Sequence, residues 1–260
     1  MRLVVKVGTS TLAHSTGRLN IRQVEKLCKV LSDLKNAGNE IVLVSSGSIG
    51  MGVGKLTLGS RPDDMPTKQA AAAVGQCELM YTYDKLFGEY NHVVAQILVT
   101  GDDFEHEDRK LNFQTTLFRL LELGVLPVIN ENDTIATQEI AVGDNDTLSA
   151  IVASGIKADL LVLLSDIDGL YTADPKSDPE ARLITYVPRI TDDIRALAEG
   201  KGSVLGTGGM ITKIKAAQIA VQAGVSMVIA NGAHPEVLYD ICDGKPAGTY
   251  FERRKHENNA

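Results

Sequence analysis

The chain contains no tryptophan, only three cysteines, and no apolar run near the roughly 20 residues that span a bilayer. Cys28, Cys77 and Cys242 are odd in number and far apart, so they indicate neither a disulfide framework nor a pair of metal ligands. Unpaired cysteines are typical of a reducing compartment. The apolar run at residues 3–7 is too short for the core of a signal peptide. We therefore expect a cytoplasmic protein with no membrane partner.

Cationic residues are also in deficit. Lys and Arg together number 26 and Asp and Glu 33, which gives a formal net charge of −7. Nucleic-acid binding depends on clustered cations, so a nucleic-acid partner is not expected. The 44% of hydrophobic residues is typical of a globular protein and excludes a disordered chain or a collagen-like fibre. No linker, repeat or shift of composition divides the 260 residues, so we expect one domain over residues 1–252 and a polar tail at 253–260.

Six short runs rich in Val, Ile and Leu are nearly continuous in apolar character, which predicts strands buried on both faces of a parallel sheet. The runs are residues 3–7, 41–44, 93–99, 125–129, 160–164 and 225–229. Apolar residues at three- and four-residue spacing predict a helix over 21–34, with Asn20 as its N-cap and Gly38 as its stop. Residues 67–87 and 109–123 also predict helices, and the proline-bearing segment 57–67 predicts a loop. Strands alternating with helices predict an α/β layered fold.

Polar, glycine-bearing segments follow the predicted strands, at the edge where open α/β sheets bind ligands. They are Lys6-Val7-Gly8-Thr9-Ser10, Val44-Ser45-Ser46-Gly47-Ser48-Ile49-Gly50, Asn130-Glu131-Asn132-Asp133 with its continuation Val142-Gly143-Asp144-Asn145-Asp146, and Leu164-Ser165-Asp166-Ile167-Asp168-Gly169-Leu170-Tyr171. A further loop, Gly206-Thr207-Gly208-Gly209-Met210-Ile211-Thr212-Lys213, leads into an alanine-rich helix. None has the spacing of a dinucleotide fingerprint or of a Walker A loop. Hydride transfer and a P-loop nucleotide site are therefore disfavoured.

Two lysines in or beside these segments are candidates for chemistry. Lys6 lies inside an apolar run, and a buried lysine is uncommon without a partner, which favours a functional role. The glycines before Lys213 expose backbone N–H groups at a predicted helix N-terminus, which suits a phosphate, although a simple tight turn has the same composition. Asp144 suits the N-cap of the helix that follows it, which leaves Asp146 in the first turn.

Taken together, the segments resemble the amino acid kinase family over nearly the whole chain, from residue 3 to about residue 251. Asn-Glu-Asn-Asp followed by Gly-Asp-Asn-Asp points to the members that phosphorylate glutamate. The motifs that carry the resemblance are Val5-Lys6-Val7-Gly8-Thr9-Ser10, Ser45-Ser46-Gly47-Ser48-Ile49, Val128-Ile129-Asn130-Glu131-Asn132-Asp133, Val142-Gly143-Asp144-Asn145-Asp146, Gly169-Leu170-Tyr171-Thr172-Ala173-Asp174-Pro175 and Gly206-Thr207-Gly208-Gly209-Met210.

The resemblance implies a three-layer α/β/α sandwich around a mainly parallel central sheet. It also implies ATP-dependent phosphorylation of the L-glutamate side-chain carboxylate to L-glutamyl 5-phosphate, the first step of proline biosynthesis, in a homo-oligomer. Lys6 and Lys213 would flank the transferring phosphoryl group, with Asp146 holding them in place. Glutamate would be bound by Ser46, Asp133 and Asn145. The nucleotide would be bound by Lys6, Ser165, Asp166, Thr207, Gly208, Gly209, Met210, Ile211, Thr212 and Lys213.

The chain departs from the family pattern in two ways. Ser45 and Ser165 stand where the family often has threonine, and both positions keep a hydroxyl. Many relatives carry an additional C-terminal PUA-type domain, which we do not expect here, so feedback by proline is not carried over.

Phosphorylation of a carboxylate has modest chemical demands. A glutamate carboxylate, with a pKa of about 4.3, is ionised at neutral pH, so the reaction needs no general base. Two lysines and Mg²⁺ would offset the repulsion between this anion and ATP. Mg²⁺ binds mainly through substrate phosphates, so we expect no dedicated protein ligands.

Other readings remain open from the sequence. A kinase of the same fold acting on aspartate, N-acetylglutamate, carbamate or a nucleoside monophosphate is the nearest. An N-acetylated substrate has no ammonium group to pair with Asp133, and a nucleotide substrate calls for more arginines. A non-catalytic amino-acid sensor is the alternative from another class, but a sensor has no need of both Lys6 and Lys213.

Overall fold

The computed structural model describes residues 1–14, 16, 18–136, 144–198 and 209–254. The strands in these ranges are β1 (Arg2–Val7), β2 (Glu40–Ser45), β3 (Val94–Val99), β4 (Leu126–Glu131), β5 (Leu160–Ser165), β6 (Tyr186–Val187), β7 (Ser226–Asn231) and β8 (Thr249–Phe251). The helices in the same ranges are α1 (Thr9–Leu12), α2 (Ile21–Asn36), α3 (Ser48–Lys55), α4 (Met65–Gly88), α5 (Asp102–Glu105), α6 (Glu107–Glu122), α7 (Asn145–Gly155), α8 (Asp192–Ala198), α9 (Met210–Gln222) and α10 (Val237–Cys242).

The described strands form one sheet in the order β3-β4-β2-β1-β5-β7-β8-β6. Each of the six predicted strands is confirmed, and all of these pair in parallel. β8 runs antiparallel to β7, and β6 pairs with β8. The sequence did not predict β6 and β8, because strands of two and three residues are too short to show a periodic pattern.

Alternate residues of the central strands enter two separate cores. Val4 of β1 packs in the core beneath α6, α7 and α9, whereas Leu3 and Val5 pack in the core beneath α2, α4 and α10. Side chains of a strand point alternately to opposite faces, so apolar residues are needed at every position when helices cover both faces. The three-layer α/β/α fold is therefore confirmed. The apolar runs are nearly continuous because the strands are buried on both faces.

Helix boundaries follow the predicted caps with one correction. The side chain of Asn20 accepts a hydrogen bond from the backbone N–H of Gln23 at 3.3 Å, and Gly38, with φ of +89°, follows the end of α2. The predicted loop over 57–67 ends earlier than expected, because α4 begins at Met65. Asp64 caps that helix through the N–H of Thr67 at 2.9 Å. A proline in the first turn starts this helix, since its missing N–H has no partner there in any case.

Helix α3 was not predicted, because its glycines disfavour a helix in isolation. The crossing of α3 with α4 explains why glycines are present in α3. A Cβ atom on Gly52 would lie 1.8 Å from the carbonyl oxygen of Ala71, and one on Gly75 would lie 1.7 Å from that of Ser48. The two backbones touch, and only glycine permits that approach.

Length and apolar character decide whether a helix can cross a bilayer. None of the described helices combines the length and apolar character that crossing requires.

Candidate active site

The carboxyl ends of the central parallel strands bring the predicted site residues to one edge of the sheet. Lys6 lies on β1, and Ser46 follows β2, which is the neighbour of β1. Asp133 follows β4, beyond β2. Ser165 ends β5, on the opposite side of β1. The strand order therefore separates the predicted glutamate residues from the predicted nucleotide residues and puts Lys6 between them.

Asp146 joins the two candidate lysines. Its Oδ1 lies 2.7 Å from the Nζ atom of Lys6, and its Oδ2 lies 3.1 Å from that of Lys213. The Asp146 side chain is 1% exposed, and those of Lys6 and Lys213 are 12% and 7% exposed. Two cations share one buried carboxylate, so the cluster carries a net positive charge and suits an anionic ligand.

Local structure explains how the three residues meet. Lys6 is two residues beyond Val4 on β1, so it faces the layer that holds α7 and α9. Asp146 lies in the first turn of α7, and Lys213 lies in the first turn of α9. The predicted N-cap is confirmed, since Asp144 accepts from the backbone N–H of Thr147 at 2.8 Å.

The carboxylate of Asp146 is held in its charged form. Burial alone favours the neutral acid, but the charges of Lys6 and Lys213 and the hydrogen bonds from Lys6 and Thr212 outweigh it. The pKa of Asp146 is therefore lowered from its ordinary value. The Thr212 hydroxyl donates to Asp146 Oδ2 at 2.9 Å, so this predicted nucleotide residue also supports the lysine cluster.

A second cluster contains two of the predicted glutamate residues. Asn145 Nδ2 donates to Ser46 Oγ at 2.8 Å and to Asn130 Oδ1 at 2.9 Å. Asn130 Nδ2 donates in turn to Gln76 Oε1 at 3.0 Å. These contacts bring together the loop after β2, the end of β4, the start of α7 and the middle of α4.

Asp133, the third predicted glutamate residue, faces the same loop after β2. Its Oδ2 accepts a hydrogen bond from Ser48 Oγ at 2.8 Å. Burial raises the pKa of Asp133, and the Ser48 hydrogen bond and the charge of Arg61 offset this only in part. A partly buried carboxylate with a raised pKa is stabilised by a nearby positive charge, such as an ammonium group.

The remaining predicted nucleotide residues lie at two places. Ser165 donates to Asp166 Oδ1 at 3.1 Å, and Asp166 is exposed at the end of β5. Gly209 is the N-cap of α9, and Met210 and Ile211 begin that helix, with Ile211 51% exposed. Thr207 and Gly208 lie outside the described residues.

Three polar residues take part in the hydrogen bonds around the predicted site although the sequence did not single them out: Asn130 and Ser48 contact it directly, and Gln76 contacts Asn130. Asn130 belongs to a recognised motif, so its inclusion there was an available signal. Ser48 had the same signal, since it belongs to the motif Ser45-Ser46-Gly47-Ser48-Ile49. Gln76 had none, because it lies on a helix rich in alanine. The contacts of Ser48 and Gln76 depend on the crossing of α3 and α4.

Known proteins resemble this chain over nearly its full length. A model of the amino acid kinase family matches residues 1–231. The chain is 51% identical to glutamate 5-kinase from Clostridium perfringens, covering 98% of this chain and 97% of that protein. It is 53% identical to glutamate 5-kinase from Clostridium tetani, covering 97% of this chain and 95% of that protein. A solved structure of isopentenyl phosphate kinase has a TM-score of 0.68 at 18% identity, covering 96% of this chain and 100% of that one, which is a likeness of fold alone.

Proposed function

This chain belongs to the amino acid kinase family, and from that premise we propose that it transfers the γ-phosphoryl group of ATP to the side-chain carboxylate of L-glutamate. The product is L-glutamyl 5-phosphate, in the first step of proline biosynthesis. Identity of about half the residues over nearly the full length of glutamate 5-kinases supports this substrate.

The observation that carries the proposal is the position of the Lys6–Asp146–Lys213 cluster. Strand order places the Ser46 and Asp133 loops on one side of Lys6 and the Ser165 loop on the other. A glutamate bound on the first side and a nucleotide bound on the second would meet at the two lysines. Phosphoryl transfer requires such positioning together with positive charge at the transferring group.

The reaction needs electrostatic stabilisation more than acid–base chemistry. An oxygen of the glutamate carboxylate forms the new bond to the γ-phosphorus atom, the bond to the bridging oxygen breaks, and ADP leaves with that electron pair. No proton has to move at neutral pH, since the carboxylate is already ionised. Lys6 and Lys213 would stabilise the charge on the phosphoryl oxygens in the transition state. Asp146 would fix both ammonium groups without neutralising them both.

The second cluster would bind the substrate. Asp133 would pair with the α-ammonium group, because a carboxylate of raised pKa gains most from a cation. Ser46 would donate to a substrate carboxylate. Asn145 would offer its carbonyl oxygen, since both of its amide hydrogens are engaged by Ser46 and Asn130.

The nucleotide would lie against Ser165, Asp166 and the start of α9, with Mg²⁺ on its phosphates. Asp146, the carboxylate at the centre of the lysine cluster, is bound on both oxygens by lysines, so it is not available as a metal ligand. A site whose central carboxylate is engaged in this way fits a metal ion that is bound mainly by the nucleotide phosphates. Such an ion supplies positive charge to the triphosphate. We extend the proposal to a cytoplasmic homo-oligomer whose subunits are single domains over residues 1–252.

ADP release, measured with a panel of free and N-acetylated amino acids, tests the activity. We expect turnover that depends on L-glutamate and Mg²⁺, with an acyl phosphate that hydroxylamine traps. Turnover with N-acetylglutamate and none with glutamate would contradict the proposal and favour another kinase of the same fold. Glutamate binding without any ADP release would favour an amino-acid sensor.

A further inference from the structure

The side chain of Gln76 is joined to Asn145 of the proposed glutamate site by two hydrogen bonds, which meet at Asn130. We propose that Gln76 is a positioning residue: it holds the Asn130 amide in the orientation that leaves the Ser46 hydroxyl hydrogen for a substrate carboxylate. The inference rests on the proposed function, because it concerns how that site binds glutamate.

One backbone group fixes the direction of the whole chain of amides. The N–H of Glu131 can only donate, and it donates to Asn130 Oδ1 at 2.9 Å. The other end of that amide, Nδ2, must therefore be a donor, and Gln76 Oε1 accepts from it at 3.0 Å. The backbone thus binds the Oδ1 end of the Asn130 amide, and Gln76 binds its Nδ2 end.

The same direction continues into the proposed site. Asn130 Oδ1 accepts from Asn145 Nδ2 at 2.9 Å, and the second hydrogen of Asn145 Nδ2 is donated to Ser46 Oγ at 2.8 Å. A hydroxyl that accepts in this way has its own hydrogen left to donate. The hydroxyl hydrogen of Ser46 is thereby left for a carboxylate, whereas the reverse direction would direct that hydrogen to Asn145.

The position of Gln76 is fixed by the close crossing of α3 and α4. Its neighbour Gly75 contacts the backbone of Ser48, where a Cβ atom would lie 1.7 Å from the carbonyl oxygen. Ser48 in turn donates to Asp133 at 2.8 Å. The crossing of α3 and α4 therefore supports the site from two sides, through Ser48 to Asp133 and through Gln76 to Asn130.

A role in packing alone does not account for Gln76. The residue is 6% exposed, and its Nε2 atom is buried with no hydrogen-bond partner among the described residues. Burying an amide N–H without a partner lowers stability. An apolar side chain of similar length would fill the same space without that cost, so the acceptor oxygen is what the site uses.

Gln76→Met tests the inference, because methionine keeps the length and removes the acceptor. We expect KM for glutamate to rise about 5- to 20-fold, while KM for ATP stays within about twofold. Gln114→Met is the matched control. It removes the 3.1 Å hydrogen bond to the carbonyl oxygen of Gly155 at the far end of α7, and should leave both KM values within about twofold.

A double-mutant cycle with Ser46→Ala separates positioning from general loosening of the site. If Gln76 acts through the Ser46 hydroxyl, Gln76→Met should change KM for glutamate by less than about twofold once that hydroxyl is gone. Equal effects in both backgrounds, or an unchanged KM for glutamate in folded Gln76→Met, would overturn the inference. Gln76→Leu replaces Gln76→Met if the latter does not fold. These outcomes leave the proposed function intact, whereas a wild-type protein without glutamate-dependent ADP release refutes that function itself.

Discussion

Asn145 and Asp146 are consecutive residues whose side chains belong to two different hydrogen-bond networks. Asn145 donates to Ser46 in the proposed glutamate site, and Asp146 pairs with Lys6 and Lys213 in the proposed phosphoryl-transfer site. Both lie in the first turn of α7, whose N-cap is Asp144. The first turn of α7 therefore contributes one side chain to each of the two proposed sites.

Lys213→Ala should lower kcat far more than it raises KM for glutamate. A cation that acts mainly on transition-state charge contributes roughly 3 kcal/mol, so we expect a loss of about two to three decades in kcat. Lys215→Ala is the matched control, because Lys215 lies on the same helix and is exposed. Steady-state kinetics of both variants check the prediction, and a loss in kcat below about threefold for Lys213→Ala would contradict it.

Asp133→Asn should weaken glutamate binding and spare the nucleotide. The amide keeps the shape but loses a charge-assisted bond worth about 1.5–3 kcal/mol. KM for glutamate should rise about 10- to 100-fold, and KM for ATP should stay within about twofold. Asp84→Asn, at an exposed position of α4, is the control. If Asp133 only shapes the turn after β4, the variant will lose thermal stability and keep its KM for glutamate.

The raised pKa of Asp133 makes glutamate use dependent on pH. The ammonium pairs with the ionised carboxylate, so kcat/KM for glutamate should fall as pH decreases, beginning above the ordinary aspartate pKa of about 4. Asp133→Asn retains only the titration of the substrate and of other groups. We expect its profile to be flatter over the same range, and superimposable profiles would contradict the assignment.

Asp146→Asn should destabilise the protein as well as inactivate it. Removing one partner of a buried ion pair typically costs about 3–5 kcal/mol, and here two lysines lose their counter-charge. The pKa of Asp146 is lowered in the folded state, so its contribution is present at neutral pH and is lost as pH falls through that lowered value. Denaturant unfolding at several pH values measures the free energy of unfolding of both proteins. We expect the variant and the wild type to differ less in that free energy below about pH 4.

Gly75→Ala should force α3 and α4 apart. The added methyl group would lie 1.7 Å from the carbonyl oxygen of Ser48, and overpacking of this kind costs about 1–3 kcal/mol or more. Gly88→Ala on the same helix meets nothing within 4 Å and should be neutral or slightly stabilising. Melting curves of the two variants check this. Folded Gly75→Ala should also show a raised KM for glutamate, since Ser48 and Gln76 both shift.

The sequence by itself determined the parallel sheet and the main helices, because burial on both faces leaves a local apolar pattern. It also indicated Lys6, since a cation inside such a run needs a partner. Motif resemblance then indicated Asp146 and Lys213, and the structure brings the three side chains together. Their roles in the reaction stay predictions, which the variants above test.

Tertiary structure alone decided which side chains lie behind the site. Gln76 and Ser48 reach Asn130 and Asp133 only because two glycines let α3 and α4 touch, and no periodic pattern encodes that crossing. The strand order, which sets the two proposed substrates on either side of Lys6, is likewise a long-range property. Local sequence specifies a helix or a strand through the spacing of its apolar residues, whereas the pairing of distant elements depends on how their surfaces fit together.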